Sequence, residues 1–258
     1  MDFGHERFEQ ARLAAEYDMG CKGIGTMREK SLHLVLKHYF APDTACHELP
    51  VGGFIADAVT EEGVVEIQTR NLSRLREKLR AFLEVCNVTV VYPIASTKWL
   101  YTVDENGELL GKRKSPKHDT IFTQMRDIYS LRDFTADTRF RLRIVELELA
   151  EYRIQSDKPR RKFHGNYEKL DRVPLDIQNI VTLESPADWL SLLPSDLPQT
   201  FSVREAAKYS GESESNIRML LKLLEQMNAA EQCEKQGNAV VWRIAEPFRA
   251  SVLDTIGG

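Results

Sequence analysis

The first forty residues contain two stretches in which apolar side chains recur at helical spacing. Residues 5–19 are typical of a helix that ends at Gly20. Thr26 and Glu29 are placed to form a capping box at the start of a second helix. The apolar residues of that helix follow at helical spacing and are Leu32, Val35, Leu36, Tyr39 and Phe40. Two helices are therefore expected before Pro42.

The pattern then changes from helical to strand spacing. Residues 54–59 and 64–69 predict two strands, and the turn residues at 60–63 join them into a β-hairpin. Ser73 begins an amphipathic helix, and residues 88–92 form an apolar run that is too short for a helix and typical of a buried strand. The order helix, strand, strand, helix, strand predicts an α/β fold.

The middle of the chain continues this alternation. Residues 97–103 and 108–112 predict a second hairpin, residues 121–131 a helix and residues 140–153 a strand. From 158 to 175 the chain is polar, basic and poor in aliphatic residues, which is typical of a linker or an ordered basic loop. We place a domain boundary there.

The last sixty residues have a pattern of their own. Ser202 and Glu205 predict a capping box for a short helix, and Ser213 caps a second helix. Residues 231–235 and 239–244 predict a two-stranded wing. This order resembles a winged helix-turn-helix domain. Residues 195–258 hold seven Lys and Arg against nine Asp and Glu, whereas a DNA-reading helix is normally basic, so DNA and a protein both stay open as its partner.

Length and composition fit this division. The 258 residues suit one or two domains, and we expect an α/β domain at 1–157, a basic connecting segment at 158–197 and a winged-helix domain at 198–258. The formal net charge is −4, so any nucleic-acid footprint must be local. Four cysteines show no zinc-binding spacing, and no apolar run is long enough to cross a bilayer, which predicts a cytoplasmic protein without a membrane partner.

Two acids in the first hairpin are the main candidates for chemistry. Asp57 lies in one strand and Glu66 in its partner, inside the most apolar stretch of the chain. Two carboxylates that face each other across a hairpin repel unless a positive charge lies between them, and a hard divalent cation with oxygen ligands is a natural one. The alternative is that both are edge-strand charges that face water.

The set Asp57, Glu66 and Gln68, preceded by Glu29 on a helix, resembles the PD-(D/E)XK nuclease superfamily, whose signature is an Asp, a hairpin and then Glu-x-Lys. The match covers about residues 25–95 and is similar to the Holliday-junction resolvase-like branch. The resemblance implies a restriction endonuclease-like mixed β-sheet core flanked by helices. It also implies that Asp57, Glu66 and the main-chain carbonyl of Ile67 bind Mg²⁺, or Mn²⁺, and that Glu29 completes the site.

The chain departs from this signature at Gln68, which occupies the usual lysine position. A lysine would stabilise negative charge on the attacked phosphate, whereas glutamine contributes hydrogen bonds without charge. The departure keeps a second hypothesis open, namely an inactive nuclease fold that binds nucleic acid or acts as a regulator through its winged helix.

Three basic clusters predict a local phosphate track. Positions 70–80 hold five basic residues and one acid. The residues that we expect to bind nucleic acid are Arg70, Arg74, Lys112, Arg113, Lys114, Arg160, Arg161 and Lys162. Solvated surface charge is the competing explanation for each cluster.

The leading hypothesis is a Mg²⁺-dependent nuclease with catalytic residues Glu29, Asp57, Glu66 and Gln68, acting on DNA in preference to RNA. The expectation of a homodimer rests on the resemblance alone.

Overall fold

The computed structural model describes residues 3–20, 31–155, 167–233, 235, 240–246 and 248. The helices are α1 (Phe3–Asp18), α2 (Ser31–Phe40), α3 (Arg76–Val85), α4 (Met125–Tyr129), α5 (Pro186–Leu190), α6 (Val203–Ser210) and α7 (Glu214–Gln226). The strands are β1 (His47–Val51), β2 (Phe54–Thr60), β3 (Gly63–Ile67), β4 (Val88–Val103), β5 (Leu109–Lys114), β6 (Phe140–Gln155), β7 (Tyr167–Leu183), β8 (Phe201–Ser202), β9 (Ala230–Gln232) and β10 (Val241–Ile244). Short 3₁₀ turns precede β1, α3 and α4.

Seven strands form one large mixed sheet, so the expected α/β class is confirmed. Its strand order is β1-β2-β3-β4-β6-β7, and β5 pairs with β4. Strands β1, β2 and β3 are antiparallel neighbours, and β5 is antiparallel to β4. The predicted hairpins are therefore present, with turns at 61–62 and 104–108.

Two compact units can be distinguished within the chain. The first is built from segments within 1–70, 90–120 and 144–181, and the second from segments within 71–89, 121–143 and 182–258. These units interleave segments of the chain, whereas the sequence predicts consecutive domains at 1–157, 158–197 and 198–258. Those domain boundaries stay a prediction.

The core of the first unit forms because α2 presents apolar side chains to the sheet and to α1. One cluster joins Leu32 and Leu36 of α2 to strand residues such as Val65, Val91 and Val145. A second cluster joins Leu34, Val35 and Tyr39 of α2 to Phe8 and its neighbours on α1. Helix α2 is therefore held between α1 and the sheet, and its polar residues are carried into the same environment.

The structure corrects two details of the predicted elements. Residues 88–92 and 97–103 belong to one strand, β4, because the chain stays extended through Pro93 and both stretches are part of the sheet. Residues 167–183, expected in a connecting segment, form β7, which ends the strand order. An edge strand with a solvated face tolerates many charged residues, so its polar pattern imitates a loop.

The C-terminal part has the predicted order of elements. Ser202 and Glu205 form the expected capping box of α6, and the Ser213 hydroxyl accepts a hydrogen bond at the start of α7. Strands β8, β10 and β9 form a small antiparallel sheet. Helix α4 also packs on α7 within the second unit, so these helices share their surroundings with residues from earlier in the chain.

Candidate active site

The β2–β3 hairpin brings Asp57 and Glu66 together. The strands pair Ala58 with Val65 and Val59 with Val64, and one further step in that register places Asp57 opposite Glu66. The Asp57 N–H donates to Oε1 of Glu66 at 3.0 Å, and the Ile67 N–H donates to Oδ2 of Asp57 at 2.7 Å. Each carboxylate is thus bonded to the backbone beside the other carboxylate. We call Asp57 and Glu66 the acid pair.

The acid pair lies in the apolar part of the hairpin rather than on a solvated edge. Glu66 is 2% exposed, between the buried residues Val65 and Ile67. The side chain of Asp57 retains 22% of its exposure. Because a buried carboxylate is costly without hydrogen bonds or a cation, this position requires the compensation that the surrounding groups supply.

Helix α2 contributes His33, which sequence reasoning missed. Its Nε2 lies 3.2 Å from Oδ2 of Asp57, the oxygen that also accepts the Ile67 N–H. The His33 side chain is 20% exposed. An imidazole in this position holds the Asp57 carboxylate in place through Oδ2.

A buried lysine, Lys37, lies one helical turn after His33. Residues four apart on a helix share a face, so both point from α2 in a similar direction. Lys37 is 4% exposed and its Nζ lies 2.9 Å from Oε1 of Glu48. The pKa of Glu48 is lowered, chiefly by the hydrogen bond from Lys37 and then by the charge of Lys37, against opposing effects of burial and of the charge of Asp57. Glu48, Lys37 and Asp57 therefore share one electrostatic environment.

Gln68 has a different orientation from the one that its position in the signature implies. Its side-chain amide donates to the main-chain carbonyl of Arg70, directly after the end of β3. This bond fixes the loop that leads to Arg70. Gln68 therefore brings no positive charge to this region, whereas α2 supplies the ammonium group of Lys37, which pairs with Glu48.

The remaining predicted site residues fall into two groups. Glu29 lies in 21–30 and Arg160, Arg161 and Lys162 lie in 156–166, so these four are outside the described residues. Arg70, Arg74, Lys112, Arg113 and Lys114 are all exposed, as a nucleic-acid-binding role requires.

The β4–β5 hairpin combines a predicted basic residue with aromatic rings. The Nζ of Lys112 lies 4.6 Å from the ring centre of Trp99 and 5.1 Å from that of Tyr101. The Tyr101 ring stacks on Tyr152 of β6, with ring centres 4.9 Å apart. Cations and aromatic faces together are typical of surfaces that bind single-stranded nucleic acid.

The donor atoms of the acid pair suit a hard divalent cation. Carboxylate oxygens and a main-chain carbonyl, here that of Ile67, are ligands that Mg²⁺ accepts. Across the part of the chain that the structure describes, no group of three or more His, Cys, Asp and Glu side chains is arranged to hold a metal ion. Among the described residues, a cation at this site would therefore have two carboxylate side chains as ligands. Its other ligands would not be His, Cys, Asp or Glu side chains from this part of the chain.

Comparison with known proteins identifies relatives of the chain without assigning an activity. A family described as "Domain of unknown function (DUF8091)" matches residues 30–184, which include α2, the acid pair and β7. An "Uncharacterized protein" of Treponema pallidum (strain Nichols) is 30% identical over 228 residues, which cover 87% of this chain and 88% of the relative. No solved structure matches the chain. No helix among the described residues is long and apolar enough to span a membrane.

The family match covers more than half of the chain and encloses the whole arrangement of α2 and the β2–β3 hairpin. The chain therefore belongs to the family described as Domain of unknown function (DUF8091).

Proposed function

We propose that this protein is a metal-dependent nuclease that hydrolyses phosphodiester bonds, with DNA favoured over RNA. The observation that carries the proposal is the acid pair, in which each of two carboxylates on neighbouring strands accepts a hydrogen bond from the backbone of the other strand. The burial of Glu66 supports it, because an acid at 2% exposure contributes little to solubility.

Asp57, Glu66 and the carbonyl of Ile67 would hold Mg²⁺ or Mn²⁺. When bound, such an ion polarises a phosphate oxygen and lowers the pKa of a coordinated water. His33 holds the Asp57 carboxylate through Oδ2 and so limits its rotation. Lys37 is paired with Glu48, and its ammonium group would favour a phosphate near the site by exchanging that carboxylate for a phosphate oxygen. In this proposal Lys37 replaces the charge that Gln68 lacks, and Gln68 fixes the loop before Arg70.

The order of elements supports the finer fold assignment. Helix α2, hairpin β2–β3, helix α3 and strand β4 follow one another as in a restriction endonuclease-like core, which we propose for this sheet. Helices α6 and α7 with strands β9 and β10 support a C-terminal winged helix. We also propose a cytoplasmic location, which agrees with three thiols outside any disulfide, at Cys46, Cys86 and Cys233.

The exposed basic residues would bind the nucleic-acid backbone and position it. Lys112 with Trp99 and Tyr101 offers both a cation and aromatic faces to an unpaired strand. Arg113 and Lys114 follow on the same strand and are exposed. Since phosphate contacts position a strand without reading its sequence, we expect binding that depends on salt more than on sequence.

A cleavage screen tests the proposal. Purified protein is incubated with duplex, branched and single-stranded DNA and with RNA, in magnesium, in manganese and in EDTA. We expect cleavage of at least one substrate in either metal and none in EDTA. Glu66→Gln keeps the shape of the side chain and removes its charge, and we expect it to be inactive. Glu61→Gln, in the exposed hairpin turn, is the matched control and should cut like wild type. Equal cleavage by Glu66→Gln and wild type would exclude the proposed site.

A second candidate is a nuclease fold that binds nucleic acid or a regulatory partner without cutting. The bond from Gln68 to the Arg70 carbonyl favours it, because the side chain in the signature's lysine position is engaged with the loop. Calorimetric titration with manganese separates the two candidates. A nuclease should bind the ion stoichiometrically and lose that binding in Glu66→Gln, whereas the inactive protein should bind DNA and no ion.

A further inference from the structure

Beyond the acid pair, the first unit contains a cleft whose charged residues are mainly basic. The cleft encloses about 120 Å³, which is room for a small group, since one ordered water needs roughly 10–15 Å³ by the same measure. Its charged lining residues are Arg70, Lys98, Lys169, Arg172, Asp119 and Glu151. We call this the cationic cleft. The four basic residues outnumber the two acids, so the cleft favours an anion.

One of the two acids is already neutralised. Glu151 on β6 is 5% exposed and accepts a hydrogen bond from Nζ of Lys169 on β7 at 2.9 Å. With that pair set aside, Arg70, Lys98 and Arg172 face the single acid Asp119. The remaining charge of the lining is therefore positive.

Arg172 is held in a position that is unfavourable for an isolated cation. Its Nη2 donates to the main-chain carbonyl of Thr69 at 3.3 Å. Its Nε is buried and has no hydrogen-bond partner among the residues that the structure describes. The pKa of Arg172 is lowered, chiefly by burial and then by the positive charge of Arg70, against the opposing charges of Glu151 and Asp171. Two guanidinium groups thus repel each other at the cleft, and an anion between them would offset that repulsion.

The chemistry of the lining selects among anions. Guanidinium groups bind phosphate through paired N–H donors, and a phosphate group has enough acceptor oxygens for several cations at once. The cleft also begins close to the acid pair along the chain. Arg70 follows Glu66 by four residues, a span of at most about 14 Å, and the Gln68 amide fixes the Arg70 carbonyl.

We propose that the cationic cleft binds a phosphate group of a nucleic-acid strand. The assignment to nucleic acid rests on the proposed nuclease function, whereas the assignment to phosphate rests on the lining of the cleft alone. Arg70 and Arg172 donate to the phosphate oxygens, and Lys98 adds a further positive charge. The bound strand would thereby be held beside the acid pair, with a phosphate other than the reacting one in the cleft.

Binding of inorganic phosphate to the full chain in EDTA tests the phosphate assignment without the metal. Calorimetry should show one binding site in wild type. Arg70→Gln and Lys98→Gln should each weaken the affinity about 10-fold, as expected for the loss of one charge-assisted contact. Both variants leave the Glu151–Lys169 pair in place. Arg12→Gln, on α1 outside the cleft, removes the same charge and should bind phosphate like wild type. Equal affinities for all four proteins, or no binding at all, would overturn the proposal.

A 12-nucleotide single strand, also in EDTA, tests whether the phosphate comes from nucleic acid. We expect the strand to bind more tightly than inorganic phosphate, to be displaced by excess phosphate, and to lose affinity in Arg70→Gln and Lys98→Gln. Binding of inorganic phosphate without binding of the strand would assign the cleft to a small phosphorylated molecule and overturn the nucleic-acid part.

The two proposals fail in different ways. If wild type does not bind phosphate and Arg70→Gln still shows metal-dependent cleavage, the phosphate site in the cleft is rejected and the proposed nuclease activity stands. If the protein binds phosphate but cleaves no substrate, the nuclease activity is rejected and the cleft remains an anion-binding site.

Discussion

The acid pair and the cationic cleft lie in the same compact unit, but the chain builds them differently. Asp57 and Glu66 are nine residues apart and meet because one hairpin sets their register. The basic residues of the cleft come from positions 70, 98, 169 and 172, on the loop after β3, on β4 and on β7. A hairpin site is specified by local sequence, whereas the cleft exists only once distant strands have assembled into the sheet.

The two regions also differ in how their charges are compensated. The acids accept hydrogen bonds from the hairpin backbone and lie near His33 on α2. In the cleft, burial and the proximity of Arg70 both act against the charge of Arg172. We therefore propose that the first region holds positive charge near two acids and that the second receives negative charge from outside the chain.

The largest expected effect separates the two regions directly. Asp57→Asn removes one negative charge and keeps an oxygen that accepts the Ile67 N–H. We expect cleavage to fall by at least about 100-fold, since even residues that only support metal ligands are worth up to that factor. Phosphate affinity in EDTA should not change. Initial rates and calorimetry on the same preparation measure both quantities, and a parallel loss of phosphate binding would show that the two regions form one site.

A smaller effect is expected from Lys37→Met, which keeps most of the buried volume and removes the charge. If Lys37 stabilises the attacked phosphate, cleavage should fall by about 100-fold or somewhat less, whereas Gln68→Ala should cost less than about 10-fold. Circular dichroism shows whether both variants fold. If Gln68→Ala loses more activity than Lys37→Met, Gln68 and not Lys37 stabilises the attacked phosphate.

The smallest effect concerns acid stability. The pKa of Glu48 is lowered in the folded state, so its pairing with Lys37 stabilises the protein above the ordinary glutamate pKa of 4.5 and this contribution is lost as the pH falls through the folded-state value. The side chain is 62% exposed, so the contribution should stay below about 1 kcal/mol. Glu48→Gln should show a shallower loss of unfolding free energy in acid than wild type in urea titrations.

An unchanged pH dependence in Glu48→Gln would mean that Lys37 is compensated by another acid. In that case Asp57, whose charge acts on Glu48, is a candidate partner. The two regions would then differ less in charge compensation, because the ammonium group of Lys37 would already serve as the cation beside the acid pair.

Local pattern predicted the hairpin well because strand alternation and a four-residue turn leave few registers. The same reasoning missed His33 and Lys37, since a helical pattern shows which residues share a face but not which strand that face meets. It also missed β7, because the charged residues of an edge strand resemble those of a basic loop. The cleft was unpredictable for the same reason: two of its cations lie on that strand.

The sequence alone predicted the described helices apart from α5, the turns of the two hairpins and the pairing of Asp57 with Glu66, because these depend on neighbours within a few residues along the chain. Tertiary structure decided that α2 places His33 beside that pair and that β7 brings Lys169 and Arg172 within one cleft with Arg70 and Lys98. The physical reason is range: periodicity fixes which way a side chain points, while the packing of helix on sheet and the order of strands fix what it meets.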